Sequence, residues 1–266
     1  MRLRPELLLL VAFGCAPART PVTPAARPAS LDDAGIALVA QLLAMQDRRV
    51  LDSALVSRAL AHPRPELRVQ AALAAGRTGD LAAVPALRGA TRDHVDDVAA
   101  TAAFALGELG DSSATTIELL AALAAPAGWP RPVIAAEAAH ALGKTMQQSA
   151  YAALYPALAG DAPAIVLHEA LLAVWHHSPR WPAAVTAVQT HLTAADPETR
   201  WRAAYALMRM AAPASIGAQR GALTDADPRV RASAARGLRA ASVDSAGARE
   251  PTRAALRAAL SDSASH

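Results

Sequence analysis

Eight histidines, 23 acidic residues and a single cysteine are the groups in this 266-residue chain that could hold a metal or move a proton. Their spacing argues against both roles. His176 and His177 are adjacent, and neighbouring side chains on a helix diverge by about 100°, so the two do not readily share one ion. His140 and His168 fall at different phases of the pattern described below, and neither HxxxH nor HExxH occurs. GxSxG, Walker-type GxxxxGK and GxGxxG are all missing, so there is no nucleophile elbow and no phosphate-cradling glycine loop. Glu108, Glu118, Glu137 and Glu169 recur at helical spacing and read as solvated faces or local ion pairs. The expectation is a non-catalytic chain with no metal, no cofactor and no small-molecule substrate.

Binding chemistry is better represented. Only 3% of residues are aromatic, yet four are tryptophans: Trp129, Trp175, Trp181 and Trp201. Tryptophan and arginine are enriched where interfaces concentrate their energy, and Trp201 lies between Arg200 and Arg202. Trp175 and Trp181 flank the sequence His176-His177-Ser178-Pro179. These rings read either as contact anchors or as fillers where the pattern is irregular. With 26 basic against 23 acidic residues, the net charge of +3 does not call for a nucleic acid.

The scaffold that must position these groups is helical. Hydrophobic residues make up 53% of the chain, chiefly alanine and leucine, which favours closely packed helices over sheets. One pattern recurs, a polar or proline-containing start followed by Ala-Ala-x-Ala-Leu-Gly. It is clearest in Pro65–Asp80 (PELRVQAALAAGRTGD) and Asp96–Asp111 (DDVAATAAFALGELGD), then in Pro132–Lys144 and Pro197–Met210. The first alanines of the cores are Ala71, Ala102, Ala138, Ala170, Ala203 and Ala234, spaced by 31, 36, 32, 33 and 31 residues. A regular period means stacked units that bury apolar faces against each other. Each unit reads as two helices, with Val69, Ala72, Leu73 and Gly76 on one buried face and Glu66, Arg68, Gln70 and Arg77 toward water. Asp111 is expected to cap a helix, and Asp196-Pro197 and Asp227-Pro228 to start two others.

The N-terminus has another composition. Leu7–Gly14 (LLLLVAFG) is an unbroken apolar run, too short for a membrane span but matching the h-region of a signal peptide. It ends at Cys15 and resembles the lipobox of bacterial lipoproteins, which implies lipid attachment at Cys15. Residues 1–14 are then the signal peptide and 15–31 a Pro-rich tether (APARTPVTPAARPAS and its flanks). The folded array is expected over 32–262, with 263–266 a tail.

The quoted repeats resemble bacterial HEAT-like repeats, the short kind also found in phycobilin-lyase-type HEAT proteins. The resemblance weakens at the fifth unit, where Trp175 replaces the glycine. It implies an all-α solenoid of about seven helix pairs and a protein-binding scaffold or adaptor with an unidentified protein partner. With the N-terminus, it implies an outer-membrane lipoprotein facing the periplasm, attached to the membrane by its lipid alone. The alternative is the HEAT arm of a cell-envelope peptidyl-prolyl isomerase, or a relative without its catalytic domain, acting as a chaperone. In HEAT-type solenoids the second helix of a pair usually lines the concave surface. That implication singles out Trp181, Gln189 and Arg220 as partner contacts.

Overall fold

The computed structural model describes residues 30–125, 127–176, 182–245 and 247–260. Cys15, Trp181, the expected signal peptide, nearly all of the tether and the tail lie outside them. Among the described residues there are fifteen α-helices and no strand. They follow in pairs: α1 (Asp33–Arg48) and α2 (Ser53–Leu60), α3 (Pro65–Arg77) and α4 (Val84–Ala90), α5 (Asp96–Leu109) and α6 (Ala114–Ala124), α7 (Pro132–Thr145) and α8 (Gln148–Ala159). Then come α9 (Ala164–Ala173) and α10 (Pro182–Thr190), and α11 (Pro197–Met210) and α12 (Ile216–Gly221). The seventh unit holds α13 (Pro228–Gly237), the short α14 (Ala240–Ser245) and α15 (Arg249–Ala259), which packs beside the turn at 222–224. None of these helices is long and apolar enough to cross a membrane.

Local chemistry sets the starts. The carboxylates of Asp32, Asp52, Asp196 and Asp227 accept from backbone amides in the first turns of α1, α2, α11 and α13. Such caps satisfy amides that have no partner inside the helix. Pro65, Pro132, Pro197 and Pro228 occupy first-turn positions, where a missing N–H costs nothing. Asp111 departs from its expected role. Ser113 holds the cap position of α6, and Asp111 instead accepts from the Ser113 amide and from the Thr116 hydroxyl at 2.6 Å, bracing the turn.

Two layers result. The first helices α3, α5, α7 and α9 pack against one another far more extensively than the second helices do. The repeated glycine explains the approach. A Cβ on Gly76 would lie 2.7 Å from the Ala105 Cβ, one on Gly107 2.7 Å from the Ala141 Cα, and one on Gly143 2.7 Å from the Ala173 Cβ. Alanine on one helix therefore sits on bare backbone of the next. Where Trp175 replaces glycine, α9 and α11 pack less extensively. The more closely packed first helices form one layer of the stack, hereafter the inner layer, and the second helices form the other.

The buried faces also differ from the simple stripe. Leu67, Ala71, Ala74 and Ala75 of α3 are buried together with Ala72 and Gly76, whereas Val69 and Leu73 stay half-exposed. Helix α3 has neighbours on three sides, α1, α5 and the second helices, so one face cannot hold all its contacts. Arg68, expected in water, is only 6% exposed. It forms a bidentate pair with Asp93 at 2.7 and 2.9 Å and donates to the carbonyls of His62 and Pro63. Arg200 repeats the arrangement with Asp225 and the carbonyls of Ala194 and Ala195. Arg231 donates to the carbonyls of Asp225 and Ala226. Each of these arginines clamps the turn before its own helix. In the first two cases it also holds the turn that leads to the next unit.

Candidate partner-binding surface

The inner layer presents the same positions of each unit in rows. One residue before the first alanine stand Gln70, Thr101, Glu137, Glu169 and Arg202, all half-buried, and then buried Ser233. Two residues after it stand Leu73, Phe104, His140, Leu172 and Tyr205, again half-buried, then exposed Arg236. Six after it come Arg77, Glu108, Lys144, His176 and Arg209. These positions face out of the stack because the intervening alanines occupy the helix–helix seams.

Lateral contacts tie the rows together from α5 onward. Lys144 pairs with Glu108 and lies 5.1 Å over the Phe104 ring, which stacks on His140 at 6.0 Å. His140 Nδ1 is 3.2 Å from Glu169, and Arg202 approaches the other Glu169 oxygen at 3.6 Å. The His140 hydrogen bond holds the Glu169 carboxyl below its ordinary range despite burial, with Arg202 adding to the effect. Arg202 also bonds Glu198, four residues back, and Arg229 reaches Glu198 from α13 at 2.8 Å. Two tryptophans lie on this surface under cations. Arg209 sits 3.9 Å from the Trp175 centroid, and Arg229 5.0 Å from that of Trp201, with Arg202 on the same ring at 5.7 Å.

Beside this ladder, over α3, α5 and the start of α7, a groove of about 720 Å³ opens. Val69, Leu73, Phe104 and Val133 form its apolar walls, and Glu66, Asp97, Glu137 and Arg77 stand among its lining residues. Glu137 forms no ion pair among the described residues, and burial pushes its carboxyl up from the ordinary range.

The other side chains singled out in the sequence are placed differently. Gln189, on α10, donates to the Ala214 carbonyl at 3.0 Å and so braces its unit to the next. Arg220, on α12, is half-buried and lines a small depression with Leu223, Arg231 and Ala255. Both belong to the second layer, away from the inner rows. Several histidines also act as ties between units: His168 Nε2 lies 2.9 Å from the Thr199 hydroxyl and His191 Nε2 2.7 Å from the Leu158 carbonyl. Among the described residues no cluster of His, Cys, Asp and Glu is arranged to hold a metal ion. Sequence reasoning passed over the inner rows, although reading one fixed offset down the repeats displays them.

The geometry matches known helical repeats. Residues 52–131 match the family model of HEAT repeats. No curated protein matches the chain significantly. Among solved structures, YibA of Escherichia coli aligns over 82% of this chain and 80% of its own, with 16% identity and a TM-score of 0.54. An engineered protein aligns over 72% of this chain and 96% of its own, with 20% identity and a TM-score of 0.50. The complex of CpcE and CpcF of phycocyanin lyase from Nostoc aligns over 91% and 100%, with 23% identity and a TM-score of 0.45. At these identities the first two establish the likeness of fold alone.

Proposed function

We propose that this chain, a HEAT-like repeat protein, is a non-catalytic binding scaffold of the bacterial cell envelope whose protein partner lies along the inner helical layer. The observation that carries the reading is the set of half-buried rows on the first helices. They offer aliphatic, aromatic and paired charged side chains over an extended surface that the fold leaves uncovered. A solenoid repeats such positions with a constant offset, which suits recognition of an elongated partner surface. The Trp175 and Trp201 sites, each under an arginine, supply the residue types that concentrate binding energy.

Attachment to the envelope rests on the N-terminus. The apolar run into Cys15 and the Pro-rich stretch behind it support lipid anchorage at Cys15 with the solenoid held off the membrane on a tether.

Capture of partners from envelope extract tests the reading. Wild-type protein should retain a defined set of proteins, and Tyr205→Asp and Phe104→Asp variants with unchanged helicity should lose it. Full retention by both well-folded variants rejects the inner layer as the partner surface. Loss on replacing Trp181 and Arg220 with alanine instead moves the contact to the second layer.

A further inference from the structure

The groove over α3, α5 and α7 differs in charge from the rest of the inner layer. From α5 onward most acids on this surface have cations: Glu108 has Lys144, Glu169 has His140 and Arg202, Glu198 has Arg202 and Arg229. In the groove three carboxylates, Glu66, Asp97 and Glu137, face one cation, Arg77. Glu66 is held by Arg64 at 3.5 Å, whereas Glu137 forms no ion pair among the described residues. Glu137 is half-buried beside the apolar walls, where a charge is poorly hydrated. At the far end the balance shifts, because α11 and α13 present Arg202, Arg209, Arg229 and Arg236, of which Arg202 pairs with Glu169 and Glu198 and Arg229 with Glu198 and Asp227.

We infer that this groove receives a polypeptide segment that sets an aliphatic or aromatic side chain between Leu73 and Phe104 and a lysine or arginine against Glu137. The inference rests on the inner layer being the partner surface. Charge complementarity selects the occupant: an acidic segment would meet three carboxylates, and a wholly apolar one would leave Glu137 buried deeper without a counter-ion. Neighbouring helices stand about 8–10 Å apart, so three span roughly 20 Å. An extended chain rising about 3.3 Å per residue crosses that distance in roughly six residues. The shift of balance toward α11 orients the segment, with acidic residues continuing over the arginines.

Selection from a random peptide library displayed on phage, against the intact immobilised chain, tests this. The enriched peptides are then synthesised with a fluorescent label and titrated by polarisation. Enriched peptides should carry an aliphatic or aromatic residue close to lysine or arginine. Their affinity should fall about tenfold on Glu137→Lys and on Leu73→Asp, with the circular dichroism unchanged. No enrichment, enrichment of acidic peptides, or equal binding to both variants overturns the inference. Should Tyr205→Asp abolish binding while Glu137→Lys leaves it intact, the inner layer stands as the partner surface and the groove assignment fails. Peptides that bind all three variants as tightly as wild type reject both.

Discussion

Replacing Asp93 with alanine removes the counter-ion of a guanidinium that is only 6% exposed. Arg68 would keep the carbonyls of His62 and Pro63, at 3.0 and 3.1 Å, but lose both bonds to the carboxylate. Breaking a buried pair from one side costs about 3–5 kcal/mol, because a buried charge is left uncompensated. A domain of ordinary stability holds about 5–15 kcal/mol in total, so the loss is a large share. In a repeat array it falls first on the units that share the clamp, α2 to α5. Urea unfolding followed by circular dichroism should show the drop, and native-state hydrogen exchange should place it in those helices. Adding Arg68→Met to Asp93→Ala should restore part of the stability, giving a coupling energy of about 1–3 kcal/mol. The pH dependence has a defined sign. The Arg68 bonds hold Asp93 below the ordinary carboxylate range. The stability it contributes is therefore complete above the unfolded pKa of about 3.9 and is lost as pH falls through the folded value. The gap between wild type and Asp93→Ala should thus narrow on acidification below about pH 4. A variant within about 0.5 kcal/mol of wild type at neutral pH, or strictly additive single substitutions, would refute the clamp as a stabilising device.

Other outcomes follow from the same structure. Ala103 is fully buried in α5, so Ala103→Asp should cost several kcal/mol, about 3 or more, seen as a collapse of the thermal midpoint. An unchanged midpoint would contradict its burial. Burial raises the Glu137 carboxyl, so the destabilisation it causes sets in as pH rises through the unfolded value and is complete above the folded one. Glu137→Gln should therefore melt higher than wild type at pH 7, and the two should converge at pH values below the carboxylate range. Lipid anchorage predicts that a fatty-acid analogue labels wild-type cells' protein and not Cys15→Ser, and equal labelling of both would exclude attachment at that residue.

The repeat was legible without coordinates because helix packing writes itself at a fixed period. The alanines at 71, 102, 138, 170, 203 and 234 recur since each unit must offer the next a flat, small-residue surface. The degenerate fifth unit was legible too, and the structure turns Trp175 from an irregularity into a spacer between α9 and α11. Asp196 and Asp227 declared their helix starts through local chemistry, an acceptor two or three residues before a free amide.

What the chain alone left open depended on residues far apart in sequence. Arg68 read as solvent-facing because its partner Asp93 lies 25 residues on, a separation that Arg200 and Asp225 repeat. The recurrence of that separation was the available signal. Which layer packs more closely depends on distances that composition does not encode: the 2.7 Å approaches at Gly76, Gly107 and Gly143. Packing between units, rather than any single residue's type, decides that Leu73, Phe104 and Glu137 line a common groove while Gln189 and Arg220 sit in the other layer. Local sequence sets where helices begin and which repeat. Only packing between units sets which of their faces remains uncovered, because exposure is a property of the neighbours and not of the helix itself.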